Sequence, residues 1–174
     1  ALVTLQLAGS KIVSERQEVS AVEINLSGRQ RMLSQRIGWT LYRIADVSQV
    51  AEGTELEHLK GLLATCVHLM EKSHRALISR ELRAMQTALE AGQPCMSPEP
   101  GAPFPLPLTR ASLTDGTILA EFLDQSWQVS IGAVDRDRVA DVARNFEAPL
   151  IELLSQLNQD TLAAQETSVA QIGQ

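Results

Sequence analysis

Arg31 is the one charged residue on a helix face otherwise made of small and neutral side chains. A guanidinium in that setting calls for an anion. The stretch around it reads Ile24-Asn25-Leu26-Ser27-Gly28-Arg29-Gln30-Arg31-Met32-Leu33-Ser34-Gln35-Arg36. Wound as a helix, Val22, Leu26, Leu33 and Ile37 form an apolar stripe at steps of four, seven and four. Roughly opposite fall Ile24, Ser27, Gly28, Arg31, Ser34, Gln35 and Gly38. A guanidinium is planar, permanently charged and forked, so it matches a planar, weakly accepting anion such as nitrate. Two of them facing across a twofold axis would grip the ion from both sides and repel each other without it. Ser27, Gly28, Ser34 and Gly38 would let the two backbones approach, and Gly28 would permit a local unwinding that frees N–H groups. The expectation is one small anion held by Arg31 from each copy, assisted by backbone near Ser27 and Gly28. A competing reading takes Arg29, Arg36 and Arg43, spaced by seven, as a solvated or ion-paired face, with Glu23, Asp46 or carboxylates of the last helix neutralising Arg31.

Other chemistry is sparse. His58, His68 and His74 share one expected helix but fall on different faces, so no metal site is expected. Asp135, Asp137 and Asp141 alternate with Arg136, Arg138 and Arg144, a pattern of solvated helix starts. Trp39 and Trp127 read as packing anchors. No phosphate loop, nucleophile elbow or paired-carboxylate signature occurs, so neither enzymatic activity nor a cofactor is expected in this fragment. A net charge of −6 and 3% aromatic residues argue against a nucleic-acid partner.

The elements that must position Arg31 read as helices. At 174 residues the chain is one domain's length, enough to bury a core. The first helix is expected from about Ser10 to Val50, ~41 residues and about 60 Å long. Gly53 suits its C-terminal cap, and Thr54-Glu55-Leu56-Glu57 reads as a capping box for the second. That second helix is expected to run unbroken to Gly92, with Leu56, Leu59, Leu63, Cys66, Met70, Leu77, Ala84 and Ala88 as its stripe. On such a rod Cys66 and Cys95 stand roughly 35–40 Å apart. An internal disulfide is therefore not expected; Cys66 reads as core and Cys95 as a loop residue able to pair between chains.

Gln93 to Leu108 holds Pro94, Pro98, Pro100, Pro103, Pro105 and Pro107, a stiff extended connection. A third helix follows, from Thr109 or Ser112 to about Ile131, with Ile118, Phe122, Gln125 and Val129 inward. Gly132 and Asp135 mark a break. The last helix then carries Val139, Val142, Phe146, Leu150, Leu153 and Leu157 to about Ile172. It should continue past Pro149 with a kink or one lost hydrogen bond. The whole reads as an all-α, antiparallel up-down-up-down four-helix bundle. No segment is apolar over the length of a membrane span, and Ala1 to Ala8 is too short for one. The chain opens without Met and is read as a piece of a longer protein.

The stretch around Arg31 also resembles a known motif. It is similar to the start of the sensor domain shared by type IV pilus chemoreceptors (PilJ-type) and nitrate/nitrite sensor kinases (NarX-type). That family carries a run close to Ile-Asn-x-x-Gly-x-x-Arg-Met-x-Ser-x-Arg, matched here by Ile24, Asn25, Gly28, Arg31, Met32, Ser34 and Arg36. Beyond the first helix the likeness is architectural, with a loose similarity from Val142 to Asn158. The resemblance implies nitrate bound at a dimer interface through the arginine at position 31 and backbone near Gly28. The chain departs from the nitrate kinases at Leu26, commonly lysine there, and at Arg29 and Gln30, which replace Ser and Leu. In this it sits nearer the pilus-chemoreceptor version.

The resulting expectation is a single extracytoplasmic sensor domain over residues 1–174. It would be a parallel homodimer through the first helix, on the periplasmic side of an inner-membrane receptor anchored by spans outside this chain. Arg31, Gly28, Ser27, Ser34 and Asn25 would bind a small anion, nitrate or nitrite, supported by Arg36 and Gln35. Signalling would proceed by helix displacement to an output module such as a kinase, chemoreceptor domain or cyclase. The alternative is a protein-interaction or dimerisation module of a pilus-linked chemoreceptor with no small ligand.

Overall fold

The computed structural model describes residues 2–50, 53–91, 95 and 118–172. Among these residues the chain is all-helical: α1 (Leu2–Val50), α2 (Thr54–Ser79), α3 (Leu82–Ala91), α4 (Ile118–Ser130), a 3-10 turn (Arg136–Arg138), α5 (Val139–Asn145) and α6 (Glu147–Ile172). The proline-rich connection and the start expected at Thr109 or Ser112 lie outside the described residues.

α1 is the rod on which the rest is built. Its 49 residues span roughly 73 Å at ~1.5 Å per residue, and it touches every other helix. α2 runs antiparallel to it, and three polar ties fix the register. Arg43 Nη2 donates to Glu55 at 2.8 Å, Gln30 Nε2 to the Met70 carbonyl at 3.2 Å, and Arg80 Nη2 to Glu23 at 3.4 Å. α6 is also antiparallel to α1. Leu150 lies over Gly38, where a Cβ would come within 2.8 Å of its Cδ2, and Asn158 lies beside Arg31. The main core joins Leu33, Ile37, Leu41 and Ile44 of α1 to Leu63, Cys66 and Met70 of α2 and Phe122 of α4. Each such fully buried side chain contributes about 1.5–3 kcal/mol. Phe146 meets Phe122 edge-on, ring centres 5.3 Å apart, and ties the last pass to α4.

The second helix is not a single rod. It ends at Ser79, and Arg80 takes a left-handed conformation with φ 55° while its N–H closes the helix on the Ala76 carbonyl. Ser79 Oγ then accepts the Glu81 N–H at the entrance to α3. α3 folds back along α2 and adds Met85 and Ala88 to a smaller core cluster with Leu26 and Ala76. This reversal overturns the expected cysteine separation. Cys66 and Cys95 form a disulfide, with Cα atoms 5.4 Å apart and both residues buried. The expectation assumed 1.5 Å of rise per residue throughout; a fold-back near the midpoint of the 29-residue separation cancels that rise.

Several smaller expectations are also corrected. The capping box does not form: Gly53 is the N-cap of α2 without a side-chain cap, and its carbonyl takes the Glu57 N–H. α1 begins at Leu2 rather than Ser10. The inward stripe of α4 runs through Leu119, Phe122, Leu123, Ser126 and Val129, leaving Ile118 exposed and Gln125 half-buried. The last pass breaks at Phe146 into two helices, because Pro149 clashes with the carbonyl four residues back and cannot continue that ladder. In the first turn of α6, however, a missing N–H costs nothing. Gly132 ends α4 at φ 74° as its position suggested. Trp127 packs against the core, whereas Trp39 is 51% exposed and lies outside the core clusters of the described residues.

Candidate ligand site

α1 stays regular through Gly28, so no local unwinding presents backbone N–H groups there. A Cβ at Gly28 would meet nothing within 4 Å, which marks open space on its outer side. That space is a groove of about 670 Å³ floored by Asn25, Gly28, Met32 and Gln35 of α1. Leu89 of α3 stands at one wall and Gln165 of α6 at the other, with Arg29 and Arg31 also lining it. Arg29 donates to the Leu89 carbonyl, so its guanidinium closes the α3 wall.

Arg31 is half-buried on the α6 side. Its Nη1 donates to Asn158 Oδ1 at 2.8 Å, and its Nε is buried without an acceptor. Among the described residues no carboxylate pairs with it. The candidates for that role are engaged elsewhere: Glu23 with Arg80, and Asp46 with Arg43 at 3.5 Å. Asn158 supplies a neutral oxygen, which accepts one N–H bond and leaves the charge uncompensated. A positive group held this way retains its attraction for an anion.

The structure brings Asn25, Gly28, Arg31 and Gln35 to one groove and turns Ser27 and Ser34 elsewhere. Ser34 is buried and donates to the Arg31 carbonyl at 2.7 Å, while Ser27 lines a different cavity on the inner side of α1. Gly38 admits α6 of the same chain rather than another copy. Arg36 is half-buried, and its carbonyl accepts the Thr40 hydroxyl at 2.6 Å. Sequence reasoning missed Asn158, Gln165 and Leu89. Leu89 was hidden by the unforeseen reversal at Arg80. Asn158 follows from register once Gly38 is matched to Leu150, since seven residues back along α1 correspond to about eight forward along α6.

No described helix is long and apolar enough to cross a membrane, and no cluster of metal-ligating residues occurs among the described residues. Among protein families, residues 12–96 match the PilJ family, described as the type IV pili methyl-accepting chemotaxis transducer N-terminal domain. The match covers just under half of the chain and takes in the Arg31 stretch, α2, α3 and Cys95. Asn158 and Gln165 lie beyond it. No curated protein and no solved structure matches the chain.

Proposed function

We propose that this chain is the ligand-binding input domain of a bacterial transmembrane receptor and senses a small inorganic anion, with nitrate or nitrite favoured. In this reading the described passes belong to an up-down-up-down four-helix bundle that forms one domain and pairs with a parallel copy along α1. The observation that carries the reading is Arg31, a cation with no carboxylate partner among the described residues and a buried, unmatched Nε beside an open groove. An ion as small as nitrate cannot fill that groove, so closure calls for a second surface. The outer face of α1 is suited to provide it. Asn25, Gly28, Met32, Gln35, Trp39 and Tyr42 follow steps of three and four, the spacing of a coiled-coil seam. Met32, Trp39 and Tyr42 leave 53%, 51% and 44% of their surfaces exposed. Arg31 flanks that seam on one side, and Arg29, Arg36 and Arg43 flank it on the other.

The anion would relieve repulsion between the arginines and shift α1 relative to α6, to which Arg31 is tied through Asn158. The buried disulfide supports a periplasmic location, because such bonds persist in oxidising compartments. Membrane spans and the output module would lie outside this chain.

Thermal unfolding of a verified dimer tests the reading. Nitrate at a hundredfold excess over Kd should stabilise by about 2.7 kcal/mol. Arg31→Ala should abolish the shift and keep the helical circular dichroism. If neither nitrate nor nitrite at millimolar concentration stabilises the dimer, the alternative gains: a pilus-linked interaction or dimerisation module without a small ligand.

A further inference from the structure

A second cavity, of about 370 Å³, lies on the inner side of α1, between α2 and α6. Gln30 lines it and is fully buried. The Nε2 of Gln30 donates to the Met70 carbonyl, which can only accept, so the amide cannot be turned the other way. Its Oε1 is therefore fixed as an acceptor, and no donor among the described residues meets it. A buried, unmatched carbonyl of this kind costs about 1–3 kcal/mol. Folds rarely leave that unrelieved without a water or a ligand.

The surroundings narrow what would relieve it. Glu23 and Asp160 bring two carboxylates to the cavity against one guanidinium, Arg80, with His74 beside them. Arg80 already pairs with Glu23 at 3.4 Å, which leaves Asp160 as the unbalanced charge. Among the described residues Asp160 meets a neutral amide donor, Gln156 Nε2 at 3.0 Å, and no cation. An anion would face two carboxylates and an acceptor oxygen, so it is disfavoured. Leu77 and Leu157 supply an apolar wall that offers a water nothing to bond.

We propose that this cavity binds a small primary ammonium compound with a short carbon chain. The ligand would part the side chains that now cover Gln30 Oε1 and donate one N–H to it, the charge would sit near Asp160, and the chain would lie against Leu77 and Leu157. The proposal is independent of Arg31, which lines the other groove. Two sources share this chemistry, a simple alkylamine and an amino acid; the latter would add a carboxylate contact to Arg80.

The test is a thermal-shift and calorimetric titration of the 174-residue chain with n-butylammonium, butyrate and norvaline at low salt. Butylammonium should stabilise and butyrate should not. Norvaline acting more strongly than butylammonium would identify a zwitterion through Arg80; the reverse would identify an alkylamine. Asp160→Asn, on the surface, should weaken binding up to about fivefold, the scale of one screened ion pair. Gln30→Met, matched in length, should weaken it about tenfold or more. The proposal is overturned if butylammonium and norvaline give no shift, the cavity then holding water only. It is also overturned if Asp160→Asn and Gln30→Met both bind as the parent does. Arg31→Ala should leave this titration unchanged, which separates its outcome from that of the anion reading.

Discussion

Replacing Cys66 and Cys95 together by alanine removes the cross-link that pins the end of α3's return to α2. The bond closes a 29-residue separation. In the chain-entropy model such a loop gives an unfolded-state penalty of about 12 cal/mol/K, or about 3.5 kcal/mol at room temperature. Both cysteines are fully buried, so the small void left by two lost sulfur atoms adds to this rather than offsetting it. For a chain of 174 residues the unfolding entropy is roughly 0.37 kcal/mol/K, and the expected fall in Tm is about 10 °C. Circular dichroism melts of parent and double variant, each with and without reductant, measure it. Reductant should lower the parent toward the variant and leave the variant where it is. Because α3 carries the Leu89 carbonyl that holds Arg29, anion binding in the outer groove should weaken too. A double variant within about 1 kcal/mol of the parent would refute the cross-link's contribution. Two free thiols in denatured, unreduced protein would refute the bond itself, and a covalent dimer on a non-reducing gel would move Cys95 to an interchain role.

Three further outcomes are expected. Asn158→Ala should leave helical content intact and weaken anion binding up to about fivefold in calorimetry, since it removes a single exposed hydrogen bond that orients Arg31. Gly38→Val should cost about 1–3 kcal/mol in chemical denaturation, because even a Cβ there comes within 2.8 Å of Leu150. Ser126→Ala should be neutral or stabilising by up to about 1 kcal/mol in the same assay, because the buried Ser126 hydroxyl has no partner among the described residues.

The one-dimensional pattern carried the local decisions. Leu26, Leu33 and Ile37 repeat with the helical period, so their common burial against α2 and its neighbours was legible before any contact was known. The same holds for Val139, Phe146, Leu153 and Leu157, whose stripe survives the break at Phe146. Gly132 stops α4 because a left-handed residue is cheap there only for glycine. Arg31 was legible as a candidate site because charge among small residues is visible in sequence order, without reference to distant parts of the chain.

Tertiary structure decided what depends on distance across the chain. Arg80 reverses direction without glycine or proline, so nothing local marked the turn that brings Cys95 to Cys66. Its left-handed backbone persists because the Leu26, Ala76, Met85 and Ala88 cluster and the disulfide over-determine it. Which small residues face outward was likewise settled by packing: Ser34 is buried, Leu150 of α6 lies over Gly38, and Gly28 is left open. Helical period places residues on faces, and only the packing of the other helices determines which face stays free to bind.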